Sequence, residues 1–239
     1  MIPIKIDSAW KGTSDCRDCG IRDMVLFADL NEQDFGEIHT PIDDMVFAAD
    51  APLYTEGQTA LGVFTLRKGM VKLVRTTADG RERIVRVLRP GDVIGLEALA
   101  TARYDSEAIA LVEAHVCRIP LSVLHHLSAN SPRLHKRLMQ KWQQALKDAD
   151  DWLADLNFGS ARQRVAALAL KMRDPDQPGM TSFFAREDMG AMLDIKLETV
   201  SRTFSKFVED GTVEVKQRHV RILDTEGLQR LVNNTAHRH

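Results

Sequence analysis

The 239-residue chain is 44% hydrophobic and carries a formal charge of −2, with 32 Lys+Arg against 34 Asp+Glu. That is enough apolar material to bury a full core and points to two domains, while near-neutrality excludes nucleic-acid binding through bulk charge and leaves only local placement of basic groups. No apolar run approaches the roughly 20 residues that cross a bilayer, and the opening MIPIKIDSAWKGTSD lacks a secretory signal's basic region and apolar block, so the protein reads as cytoplasmic with no membrane partner. The first motif is SDCRDCG, which sets Cys16 and Cys19 in a C-x-x-C spacing; the third cysteine is Cys117. In a reducing compartment an odd count with a C-x-x-C points to metal or redox chemistry more than to a disulfide framework, with three unrelated small side chains as the plain alternative.

LNEQDFGEI then reads as a short helix with Asn31 as cap and Phe35 and Ile38 on one face. From about residue 45 to 120 short β-rich runs are separated by glycine turns. The runs VKLVRTT and RERIVRVL flank Ala78-Asp79-Gly80, a hairpin signal. This spacing predicts a small antiparallel roll.

The period then changes. Leu138, Trp142, Ala145, Ala149, Trp152 and Leu156 form an a/d seam, and Met139, Leu146 and Leu153 a second stripe at intervals of seven. A helix with two apolar stripes wants two partners, its own roll and the same helix of a second subunit, so the seam predicts a homodimer. Gly159 reads as the helix stop of a hinge.

In REDMGAMLDIKLETVSRTFSKFVEDG, a helix from Arg186, a turn at Asp194-Ile195-Lys196 and a second helix from Leu197 to about Glu209 form a helix-turn-helix. Met189, Leu193, Ile195 and Val200 would pack between the helices, with Gly190 allowing close approach. The second helix would present Glu198, Ser201, Arg202 and Lys206 to a major groove, where arginine pairs with guanine and glutamate accepts from cytosine. VEVKQRHVRILD reads as a β-hairpin wing whose Lys216, Arg218 and Arg221, with Lys196 of the turn, reach phosphates. Residues 160–239 hold 13 Lys+Arg against 11 Asp+Glu, a mild basic excess.

Together these residues resemble the CRP/FNR family of bacterial transcription regulators, and LETVSRTFSKF is similar to the recognition helix of its FNR branch. The resemblance implies an α+β chain: a cysteine segment (1–30), an antiparallel, cyclic-nucleotide-binding-like β-roll (31–121), a dimerisation helix and hinge (122–159) and a winged helix-turn-helix (160–239). It also implies a homodimer on palindromic double-stranded DNA similar to TTGAT-N4-ATCAA, and recruitment of RNA polymerase. Asp194, where glycine is usual, and Lys196, where Ser or Thr is usual, depart from the pattern.

The resemblance also frames the signal. In cyclic AMP sensors of this family the stretch matching GDVIGLEALATARYDSEAIAL supplies a glutamate to the ribose and an Arg-Ser pair to the phosphate. Here Leu96 and Asp105-Ser106-Glu107 stand in their places, which disfavours cyclic AMP; only nearby Arg103 keeps another nucleotide in view. Cys16, Cys19 and Cys117 resemble three of the four [4Fe-4S] ligands of the FNR branch, and Val25 stands where the remaining cysteine would be. Three readings stay open: a cluster completed by a carboxylate such as Asp15, Asp18 or Asp23, a Cys16–Cys19 thiol switch, or a remnant site without a cluster. Haem on His39, His115, His125, His126 or His135 is a weaker variant. An enzyme is not expected: there is no β-α-β setting for the C-x-x-C, no phosphate-cradling glycine loop and no nucleophile, base and orienter triplet.

Overall fold

A computed structural model of the chain describes residues 7–8, 24–31, 33–34, 37–38, 42–173, 180–182, 185–216 and 219–234. It divides into two compact units, Met1–Lys147 and Asp148–His239.

Among the described residues the first unit holds nine strands: β1 (Asp7–Ser8), β2 (Asp43–Phe47), β3 (Pro52–Tyr54), β4 (Gly62–Lys68), β5 (Val71–Thr76), β6 (Glu82–Leu88), β7 (Val93–Ile94), β8 (Glu107–Ala110) and β9 (Ala114–Pro120). They form two antiparallel sheets, ordered β1-β2-β9-β4-β7 and β3-β8-β5-β6. The expected β5–β6 hairpin is present, with Gly80 at φ 81° closing the turn onto the Thr77 carbonyl at 2.8 Å.

Strand alternation builds two cores. Phe64 and Leu66 of β4, Phe47 of β2 and Val116 of β9 pack with Tyr54, Val71, Leu73 and Ala108 of the other sheet. The opposite face of the five-stranded sheet, through Val63, Val93 and Ile119, packs on Leu26, Phe27, Leu124, Leu127, Leu134 and Leu138. Those last four lie on two helices, α2 (Leu121–Asn130) and α3 (Pro132–Leu156), which follow the single-turn α1 (Ala98–Thr101). The segment read as one dimerisation helix and hinge is thus interrupted: Ser131 is extended (φ −116°, ψ 105°) before Pro132, which opens α3. A residue before proline avoids the helical region, and proline suits a first helical turn.

Asn31 does cap a turn. Its side chain accepts from the Asp34 N–H at 2.9 Å, and the Asp34 carboxylate accepts from the Asn31 N–H at 3.0 Å. Ile38 is buried, whereas Phe35 lies outside the described residues. Three cations spaced four apart on α3 then grip this segment. Arg133 Nε donates to Asp34 at 3.0 Å, Arg137 Nε to the Val25 carbonyl at 3.3 Å, and Lys141 Nζ to the carbonyls of Met24 and Gly91, both at 2.6 Å. Burial pushes the Asp34 carboxyl up, but the hydrogen bonds from Arg133 and Asn31 outweigh it and hold it below the ordinary range.

The second unit opens with Gly159 at φ 89° and Ser160, which forms a capping box with Gln163 at the start of α4 (Ala161–Lys171). There follow β10 (Met180–Ser182), α5 (Arg186–Leu193), α6 (Leu197–Glu209), β11 (Val213–Lys216), β12 (His219–Ile222) and α7 (Thr225–Asn233), with a sheet ordered β10-β12-β11. This is the winged helix-turn-helix expected, with α7 added. Among the described residues no helix is long and apolar enough to cross a membrane.

Candidate nucleic-acid interface

The α5–α6 turn is set by three residues. Asp194 ends α5 in the left-handed region (φ 52°, ψ 48°), donating its N–H to the Gly190 carbonyl; aspartate tolerates this region better than most side chains. A Cβ on Gly190 would sit 2.8 Å from the Ile195 carbonyl oxygen, so only glycine lets the turn close so tightly. Lys196 occupies the N-cap of α6 in extended geometry and makes no side-chain capping bond, so neither departure from the family pattern unmakes the turn. Arg164 Nη1 donates to the Leu193 carbonyl at 2.7 Å and braces α5 from α4.

One face of α6 is core. Val200, Phe204 and Phe207 are buried, the two rings meet edge-on at 6.2 Å, and Arg186 and Arg162 lie over Phe204 and Phe207 at 5.3 and 5.5 Å. Met189 and Leu193 are buried beneath, while Ile195 is only half-buried. The opposite face carries exposed Glu198 and Arg202 with half-buried Ser201 between them, and neither Glu198 nor Arg202 has an ion-pair partner among the described residues. Two residues alter the expected footprint. Lys206 is exposed but held by Glu209 and Asp210, each at 3.3 Å, and these partners raise its ammonium's pKa, so DNA would have to displace two carboxylates. Ser205, one turn beyond Ser201, is exposed on the same stripe and adds to the expected face, with the interval of four as its signal in the sequence. On the wing, Arg221 is exposed between buried Val220 and Ile222, Lys216 ends β11, and Arg218 lies outside the described residues.

In the roll, Cys117 on β9 is half-buried and its thiol donates to Asp44 Oδ1 at 3.2 Å, while Arg67 holds the same oxygen at 2.8 Å. Cys16, Cys19, Asp15, Asp18 and Asp23 lie outside the described residues, and Val25 offers only an aliphatic side chain and a carbonyl already taken by Arg137. Among the described residues no three His, Cys, Asp or Glu side chains are grouped as a metal site. Among the described residues the candidate ligands thus contribute a single thiol, that of Cys117. Of the histidines weighed for haem, His115 and His126 pair with Glu113 and Glu37 at 2.9 and 3.1 Å, and His39 lies outside the described residues.

Within the roll, Tyr54 and Tyr104 stack at 3.6 Å with planes 10° apart, and Tyr104 Oη donates to the Gly62 carbonyl at 2.6 Å. Burial raises the pKa of both phenols and of the Glu97 carboxyl. Leu96 is buried in the second core, and Arg103 points to the Gly57 carbonyl at 2.7 Å.

Residues 44–131 match the family model of the cyclic nucleotide-binding domain and residues 163–231 that of the Crp-like helix-turn-helix domain. The chain is 30% identical over 224 residues to the transcriptional activator protein FnrA of Stutzerimonas stutzeri, spanning 89% of this chain and 90% of that protein. It is a CRP/FNR family transcription regulator. The fumarate and nitrate reduction regulatory protein of Escherichia coli is 27% identical over 92% of this regulator and 91% of its own length. The solved structure of FixK2 from Bradyrhizobium japonicum superposes with a TM-score of 0.72 at 26% identity, covering 80% of this chain and 96% of that one. The regulator's relatives control transcription and are not enzymes.

Proposed function

We propose that this regulator acts as a homodimer on a palindrome similar to TTGAT-N4-ATCAA, reads each half-site with α6, and influences RNA polymerase nearby. The observation that carries the reading is α6 itself: a buried aromatic face holds the helix while Glu198, Ser201 and Arg202 stand ready on the other. Arg202 reads guanine, Glu198 the cytosine amine, and Arg221, Lys196, Lys216 and Arg218 meet phosphates.

A second copy would cover the α3 stripe of Met139, Trp142, Leu146 and Leu153, which are 50%, 38%, 64% and 60% exposed. This seam is rotated by one residue from the one the spacing suggested. Leu138 and Leu156 are buried within their own chain, Ala145, Ala149 and Trp152 are half-buried, and only Trp142 is shared. Replacing Arg202 by Ala tests the assignment: palindrome affinity should fall about 5- to 150-fold, the worth of one bidentate base contact, with selectivity relaxed at one guanine and two chains still bound per duplex. Unchanged affinity overturns it.

For the signal, we read Cys16, Cys19 and Cys117 as redox-responsive thiols. In support, Asp7 of β1 pairs with Asp44, which pairs with Cys117, so the chain enters the sheet two strands from Cys117, and Cys16 follows eight residues after Ser8. A regulator that has lost its sensor is the second reading, favoured by the Arg67 grip on Asp44 and by Val25. Anaerobic isolation with iron and sulfide analysis is expected to give three titratable thiols and little of either element; stoichiometric iron and sulfide would instead establish a cluster completed by another ligand.

A further inference from the structure

We propose that Asp210 is a positioning residue for DNA binding: with Glu209 it keeps the Lys206 ammonium on the protein and off the DNA backbone, which lowers the sequence-independent part of the affinity. The inference rests on DNA reading by α6. Along the outward face of that helix the charged groups are treated unequally. Glu198 and Arg202 have no ion-pair partner among the described residues, whereas Lys206, one turn beyond Arg202, meets Glu209 Oε2 and Asp210 Oδ1, each at 3.3 Å.

An exposed ion pair alone says little. The second carboxylate differs because it is anchored. Asp210 ends α6 with its N–H on the Lys206 carbonyl at 2.9 Å, and its other oxygen, Oδ2, accepts from Arg162 Nη2 of α4 at 2.7 Å. Arg162 in turn lies over the buried Phe207 ring at 5.5 Å. The acceptor that Lys206 faces is thus fixed to a second helix. Neither acid is placed to stabilise α6, since both stand at its C-terminal end, where the backbone dipole favours cations. The charges of Arg162, Lys206, Glu209 and Asp210 cancel, so this end of the helix offers a phosphate no net attraction.

A phosphate contact releases counterions and carries no base information. A lysine free to make one would therefore tighten binding to every duplex alike. Held by two carboxylates, Lys206 adds nothing to that term, and discrimination is left to the side chains that meet base edges.

The test measures affinity for TTGAT-N4-ATCAA and for a scrambled duplex from about 50 to 200 mM salt. Glu209→Gln with Asp210→Asn removes both negative charges at nearly constant shape, and releases the ammonium onto a phosphate in each half-site. Two added contacts, at a slope of about 0.9 each, should make this variant lose on the order of tenfold more affinity than wild type across that range, on both duplexes. Adding Lys206→Gln to it should restore the wild-type slope. Lys206→Gln alone should leave the slope as in wild type; that single change keeps the Arg162–Asp210 pair, so it decides the matter even where the double variant fails to fold. An unchanged slope in the folded double variant, an increase that survives Lys206→Gln, or a flatter slope with Lys206→Gln alone overturns the proposal. Failure of the underlying assignment looks different: wild type would then not prefer the palindrome over the scrambled duplex.

Discussion

The outward face of α6 and the interior of the roll belong to one regulator and treat polar groups in opposite ways. On α6, Glu198 and Arg202 are exposed and without ion-pair partners among the described residues, so they are available to an outside molecule. In the roll, Tyr54, Tyr104 and Ser106 are buried and Glu97 is half-buried, and the two tyrosine rings stack on each other at 3.6 Å. Tyr54 and Tyr104 belong to the core of the roll, whereas the outward face of α6 is left to solvent.

The largest effect is expected inside the roll. Tyr104→Ala should cost about 3–5 kcal/mol by urea melts, as removal of a large buried aromatic does, because it loses the stack, the Gly62 hydrogen bond and the packing over Gly95, whose would-be Cβ lies 2.8 Å from the ring. A cost below about 1 kcal/mol would mean that the interior is a cavity in waiting and the contrast with α6 is false. Next comes the turn: Gly190→Val should destabilise the winged unit by roughly 1–3 kcal/mol through overpacking and weaken DNA binding with α6 displaced. Separate melting of the two units checks it, and an unshifted winged-unit transition would remove Gly190 from the account.

The smallest effect concerns Asp34. Its carboxyl is held below the ordinary value, so its stabilising charge is present above about pH 4 and is lost as pH falls through the lower, folded value. Asp34→Asn should be less stable than wild type at pH 7, with the gap closing in acid. Parallel urea curves at both pH values would show that Arg133 contributes no charge pairing there.

Legibility followed the range of the interactions. The β5–β6 hairpin, the ends of α5 and α6 and the Glu198–Ser201–Arg202 stripe depend on residues within a few positions of each other, and periodicity and turn chemistry located them. Which of the two α3 stripes faces inward was not legible, because both are apolar and only long-range packing of Leu134 and Leu138 on Leu26, Phe27 and Val63 decides it. The Asp44–Cys117–Arg67 cluster joins three strands and was invisible for the same reason. Lys206 was read as available because spacing shows a face and not the carboxylates of Glu209 and Asp210 that hold it.

The grip of α3 on the residues before Asp34 bears on how this regulator can change. Arg137 and Lys141 hold Val25 and Met24 by their main-chain carbonyls, groups that every amino acid possesses. The backbone is thus fixed at Val25, the position where the family resemblance leads one to expect a cysteine, while the side chain there stays open to replacement. A codon change from valine to cysteine would place a sulfur on an anchored scaffold, and the reverse change would remove one without loosening the fold. Exchange of the side chain at this position is therefore separable from the anchoring of the backbone.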